Sequence, residues 1–136
     1  MSVDVSATRV LVVDDSDFTR EIVVAMLRDI GFEMIFQAGD GTDALRQLDT
    51  ASPGLIICDI NMQPMDGLAF LDELRRHPWV PAAAIPVVFT TVHTETAIVQ
   101  AAAQLGAEGY IVKPVKRNEL EARVRAALER TGRTDG

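Results

Sequence analysis

Asp14-Asp15, Asp59, Thr90-Thr91 and Lys113 are the residues whose types and spacing suggest chemistry, because each closes or follows a short apolar run. The clearest stretch is Leu55-Ile-Ile-Cys-Asp59-Ile-Asn-Met-Gln-Pro-Met-Asp-Gly67, where apolar residues run into an acid and then into a turn rich in Pro, Asp and Gly. An apolar run bounded by turn residues reads as a buried strand. A carboxylate at its end sits where an uncompensated charge is costly. Like charges gathered at one place take up protons or bind a cation, and three acids outweigh the single Lys113. Oxygen ligands with room for water favour Mg²⁺. On this reading Asp15 and Asp59 are direct ligands, Asp14 acts through water, and a main-chain carbonyl in the turn after Asp59 completes the shell. One oxygen of Asp59 stays free as a nucleophile toward phosphorus. Mg²⁺ and Lys113 neutralise the incoming phosphoryl group, and the Thr91 hydroxyl donates to another of its oxygens.

For these side chains to meet, the elements that carry them must end on one edge. Val10–Val13, Met34–Phe36, Leu55–Cys58, Val87–Phe89 and Tyr110–Val112 read as strands, each apolar enough to be covered on both faces. Helical periodicity fills the gaps. Phe18, Ile22, Ala25 and Met26 stripe a first helix that Ser16 or Asp17 caps and Gly31 ends. A second opens at Asp40-Gly-Thr-Asp43 and carries Leu45 and Leu48; a third begins at Asp66-Gly67, buries Leu71 and Leu74 and fails before His77-Pro78. Thr94 caps a fourth with Ile98, Ala101, Ala102 and Leu105 on one face and Gly106 at its end. A fifth, from about Arg117 to Arg130, turns Leu120, Val124, Ala127 and Leu128 inward. Strict β-α alternation predicts an α/β fold, a parallel sheet with helices on both faces. With strand order 2-1-3-4-5, every polar ending lies on four adjacent strands, and the uncharged Gln37-Ala-Gly ending lies at the edge.

Composition is consistent with one globular domain: 136 residues, 48% of them apolar and 24% charged, suit a single core. The net charge of −7 argues against nucleic acid or an anionic membrane as the main partner. No apolar stretch is long enough to span a bilayer. Residues 1–7 read as a leader without signal-peptide character, 8–130 as the domain and 131–136 as a short tail. The lone Cys58 is a core residue, and the expected location is the cytoplasm.

The motifs Val-Val-Asp14-Asp15, Asp59-Ile-Asn-Met-Gln-Pro-Met-Asp-Gly67, Pro86-Val-Val-Phe-Thr-Thr91 and Tyr110-Ile-Val-Lys113-Pro114, in this order, resemble the receiver domain of two-component response regulators, especially the stand-alone chemotaxis type. Chemotaxis receivers of that type have the flavodoxin-like strand order 2-1-3-4-5. The resemblance spans roughly residues 8 to 130 and implies a set of roles. Asp59 is the phosphoacceptor, Asp14 and Asp15 the metal-binding acids, and the Asn61 carbonyl a metal ligand. Lys113 contacts phosphate, Thr91 is the switch hydroxyl, Tyr110 the switch aromatic, and Lys113-Pro114 is cis. It also implies that His93 and Asn61 modulate phosphoryl lifetime. The implied partners are a sensor histidine kinase or histidine phosphotransfer protein and a downstream protein target. The latter reads a surface of the fourth helix, fifth strand and fifth helix that includes Glu95, Gln100, Gln104 and Arg123. The protein is expected to be a monomer or a weak phosphorylation-dependent dimer. Two departures stand out: Gln63 lies where the family usually has Pro, with Pro64 following it, and His77-Pro-Trp-Val-Pro-Ala-Ala-Ala84 makes the approach to the fourth strand a little long.

Each residue also has a plainer reading. Asp14-Asp15 alone is a favourable charge at a helix N-terminus, Lys113 a structural ion pair, and Tyr110 a packed aromatic with a wet hydroxyl. His77 reads as a helix-end residue and Trp79 as a loop anchor. Competing functions are a Mg²⁺-dependent phosphatase of the haloacid-dehalogenase type, which needs an acid where Asn61 stands, and a flavin carrier, whose phosphate Asp14-Asp15-Ser-Asp17 would repel. A phosphorelay intermediate differs from a terminal switch only in its partners.

Overall fold

A computed structural model of the chain describes residues 4–78 and 80–131; the readings of Trp79 and of the tail beyond 131 lie outside them. The elements are β1 (Arg9–Val13), α1 (Asp17–Ile30), β2 (Met34–Ala38), α2 (Gly41–Ala51), β3 (Leu55–Asp59), α3 (Gly67–Arg75), α4 (Val80–Ala83), β4 (Val87–Thr91), α5 (Thr96–Gln104), β5 (Gly109–Val112) and α6 (Arg117–Thr131). The strands pair in parallel, as the alternation predicts, and in the order β2-β1-β3-β4-β5 expected from the polar strand endings and the family resemblance. Val13 is level with Cys58, Asp59 with Thr90, and Thr91 with Val112, so the polar endings share one edge.

Side chains alternate across the sheet and build a core on each face. Val10, Val12, Ile57, Val88 and Ile111 pack with Val23 and Leu27 of α1 and Leu120, Val124 and Leu128 of α6. Leu11, Val13, Ile56, Cys58, Val87 and Phe89 pack with Ala44 and Leu48 of α2, Phe70, Leu71 and Leu74 of α3, and Ala102 of α5. Full burial of a large apolar side chain contributes about 1.5–3 kcal/mol, so this two-sided sheet supplies the main stabilisation. Val5, within the stretch read as a leader, also belongs to the first core, 3.3 Å from where a side chain on Gly31 would begin.

Three helices start on side-chain caps: Ser16, Asp40 and Asp66 accept from the main-chain N–H of Thr19, Asp43 and Ala69. Gly31 closes α1 with φ 128°, a conformation that favours glycine. Several expectations need correction. The buried face of α1 is Val23, Val24, Leu27 and Ile30, while Phe18, Ile22 and Ala25 are exposed and Met26 is half-buried. Thr94 does not cap the helix after β4; Glu95 occupies that position without a side-chain cap bond, because its main-chain oxygen accepts the first bonds, from Ile98 and Val99. The long approach to β4 holds the extra helix α4, so the expected fourth and fifth helices are α5 and α6. Finally, β2 is covered only partly, as an edge strand, and Gln37 is exposed.

Candidate functional site

The first acid follows β1 directly. Asp14 is buried: its N–H donates to the Ala38 oxygen, Oδ1 accepts from the Ser16 N–H at 2.9 Å, and Oδ2 lies 3.3 Å from Lys113 Nζ. Asp59 is the last residue of a strand buried throughout. Its Oδ1 accepts from the Asn61 N–H at 3.2 Å and its Oδ2 is 3.3 Å from the same lysine nitrogen. Asp15 is exposed beside them, and one carboxylate oxygen from each of the three acids lies within 4.8 Å of the others. Lys113 therefore bridges two acids and leaves a third.

The close approach behind Asp59 explains Asp66-Gly67. A Cβ at Gly67 would lie 2.6 Å from the Asp59 carbonyl oxygen and 2.8 Å from the Ile60 Cα. With glycine there, its N–H bonds the Ile60 oxygen at 2.8 Å and the turn folds tightly under the acid. Both Gln63-Pro64 and Lys113-Pro114 are cis. The second agrees with expectation; the first lies where Gln63 replaces the family's usual Pro.

Electrostatics follow from this geometry. Burial pushes the Asp59 carboxyl above its ordinary range, Lys113 pulls it back, and the Asp14 charge adds to the push. Burial, then the neighbouring Asp59, hold the Cys58 thiol well above its usual value and make it inert. Three carboxylates gathered around one lysine leave the site with surplus negative charge, and its donors are all oxygen. The set fits a hard divalent cation such as Mg²⁺.

Thr90 and Thr91 are both buried, but alternation sends them to opposite faces. Thr91 follows Val87 and Phe89 onto the face carrying α5, which is also where Tyr110 packs. Its Oγ1 accepts from the His93 N–H at 2.9 Å. Tyr110 is half-buried beside a small cavity of about 120 Å³, which Val99, Ala102 and Ala103 line from α5. Asn61 is exposed and shares a cavity of about 370 Å³ with Asp15, Met62 and Gln63. Glu95, Gln100, Gln104 and Arg123 are all exposed. The Glu95 carboxylate meets His93 Nδ1 at 3.2 Å, and its own main-chain N–H, then His93, hold its pKa low.

One feature of the rim is not visible in the sequence. Phe18 is 78% exposed, Val92 63% and Ile22 38%. With Lys113, Pro114 and Val115 they line one apolar cleft of about 450 Å³. Phe18 and Ile22 carry the signal in their periodicity, but that periodicity reads equally well as a core face.

Comparison with known proteins agrees with this geometry. The family model of the response regulator receiver domain matches residues 10–125. A probable chemotaxis protein CheY from Rhizobium etli is 36% identical over 120 residues, covering 88% of this chain and 92% of that protein. A probable transcriptional regulator ycf27 from Cyanophora paradoxa is 35% identical over 128 residues, and the chain spans 51% of its length. Among solved structures, the chemotaxis protein CheY4 of Vibrio cholerae has a TM-score of 0.82 at 31% identity, covering 89% of this chain and 98% of that one. The signal receiver domain of a signal transduction histidine kinase from Syntrophus aciditrophicus also gives 0.82 at 31%, covering 96% of each.

Proposed function

This chain belongs to the response regulator receiver family, and from that membership we propose that it is a phosphorylation-operated switch whose acceptor is Asp59. The observation that carries this is the three-carboxylate rim with Lys113 bridging Asp14 and Asp59. The family is a signalling one rather than a family of turnover enzymes, so the only chemistry proposed is on the chain's own acceptor.

An oxygen of Asp59 attacks the phosphorus of a phosphohistidine in line. The new O–P bond forms as the bond to the imidazole nitrogen breaks, and the imidazole keeps the electron pair. Lys113, already 3.3 Å from Asp59, moves its positive charge onto a phosphoryl oxygen. Asp14, Asp15 and Asp59, with the Asn61 carbonyl, would hold a bound Mg²⁺ that neutralises the transferring group and relieves repulsion among the acids. Thr91 accepts from His93, so its own proton is free to be donated to the phosphoryl group. Drawing Thr91 toward Asp59 opens space on the α5 face into which Tyr110 turns. This shifts the α5–β5–α6 surface, with Glu95, Gln100, Gln104 and Arg123, toward the state a downstream protein reads. Phosphate does this only by binding one of two states better than the other.

The apolar cleft beside Lys113 suits the donor protein, a sensor kinase or histidine phosphotransfer protein, because apolar contact there sets a histidine over the acids. No helix among the described residues is long and apolar enough to cross a membrane, and the cytoplasm, where such donors present their phosphohistidine, is the proposed location. The chain acts as a monomer or a weak phosphorylation-dependent dimer. Incubation with Mg²⁺ and acetyl phosphate should add one base-labile phosphoryl group, detected by intact mass, and none to Asp59→Asn. Full labelling of that variant would move the acceptor elsewhere. Phosphoryl return to a histidine-bearing protein would mark a relay role.

A further inference from the structure

Two of the three acids project from the turn between β1 and α1, and a cation behind that turn holds it. Arg20 donates from Nη1 to the main-chain oxygen of Asp14 at 2.6 Å, from Nη2 to Asp17 Oδ1 at 2.6 Å, and from Nε to Gln37 Oε1 at 3.0 Å. Its side chain is only 15% exposed. Gln37 is fixed in turn. Gln47 Nε2 donates to the Gln37 main-chain oxygen at 2.8 Å and to Asp43 Oδ2 at 3.1 Å. A continuous set of contacts thus runs from α2 through the β2 edge and α1 to Asp14. On the opposite side, Ser16 and Lys113 hold the Asp14 carboxylate. The edge strand whose ending carries no charge is therefore tied to the acidic rim.

We propose that Arg20 is a positioning residue of this rim: it holds the Asp14 carbonyl so that the turn presents Asp14 and Asp15 ready for a divalent cation. The inference rests on the Mg²⁺-dependent reading above. The sign of the effect separates positioning from charge. As a cation near the acids, Arg20 repels Mg²⁺, so Coulomb interaction alone makes its removal tighten binding. As a positioning group its removal weakens binding, because the turn must then be ordered by the ion itself.

The test is Mg²⁺ titration by calorimetry on the full, unphosphorylated chain, with thermal unfolding in EDTA to verify folding. Arg20→Met should bind Mg²⁺ about tenfold more weakly than the wild type. Arg20→Lys, which keeps the charge but not the fork of donors, should fall between them. Gln37→Leu, neutral and on the exposed β2 edge, should weaken binding less, and should add little in the Arg20→Met background because it acts through Arg20. Unchanged or tighter binding by Arg20→Met overturns the proposal, as does a fully additive effect of Gln37→Leu. Should Arg20→Met fail to fold, Gln37→Leu alone decides: weaker Mg²⁺ binding at an unchanged melting temperature supports the proposal, and unchanged binding overturns it. A wild type that binds no Mg²⁺ and takes no label from acetyl phosphate would instead sink the proposed phosphorylation switch itself.

Discussion

Helices α1 and α5 both leave the functional edge of the sheet, yet they are held very differently. α1 starts on the Ser16 cap with Asp17 in its first turn, ends on Gly31 and buries Val23, Val24, Leu27 and Ile30. α5 starts at Glu95 without a side-chain cap, carries no base in its last turn and fully buries only Ala102. Its far end is secured from outside, by Arg75, whose guanidinium donates to the carbonyl oxygens of Ala83, Ile85 and Gly106. The half of the rim that carries Asp14 and Asp15 is thus firmly anchored, and the half that follows Thr91 is held more lightly. Regions drawn into switching come from the weakly held end of a fold, so the contrast supports the proposed split, with phosphate capture on one side and readout on the other.

The largest test of this contrast removes the group between the halves. Asp59→Asn should abolish specific labelling and, in the metal-free protein, raise the melting temperature by neutralising a buried acid. The sign follows from linkage: burial raises the folded pKa of Asp59 above its unfolded value. Its contribution to stability is full below the unfolded pKa and is lost as pH rises through the folded one. The stability difference between wild type and variant should therefore change across that window in acid and be constant above it, as read by urea unfolding at a series of pH values. A difference independent of pH throughout would break the electrostatic account.

Arg75→Met should cost about 2–4 kcal/mol, because three carbonyls lose a charged donor. Amide exchange should quicken most in α5, and equal acceleration in α1 would erase the difference between the two helices. Phe18→Asp should lower the ratio of labelling by a phosphohistidine protein to labelling by acetyl phosphate by about tenfold, roughly one lost apolar anchor. An unchanged ratio would remove the cleft from the capture side. The smallest effect sharpens the capping difference: Ser16→Ala should cost about 1 kcal/mol, and Thr94→Ala almost nothing, since Thr94 caps no helix. Equal costs in denaturant unfolding would contradict the assigned helix starts.

Much of this is legible from the chain alone, for a local reason. A strand carries its terminal side chain wherever its apolar run leads, so Asp14, Asp59 and Lys113 fall on one edge once the runs are recognised as parallel strands. Asp66-Gly67 is legible as a helix start, although the need for glycine beneath the Asp59 carbonyl is not. From sequence α1 reads inside out, because it is apolar on two opposite sides. Periodicity finds a stripe but does not say which stripe meets the sheet. Docking against Val10, Ile57 and Ile111 chose Val23 and Leu27, and left Phe18 and Ile22 beside Lys113.

The sequence by itself determined the alternation of elements and the polar residues that close each strand, because both depend on neighbours a few positions apart. Tertiary structure alone decided the apolar cleft and the tie from Arg20 to Gln37 and Gln47. Each of those depends on which distant elements pack together, and no local period encodes that choice.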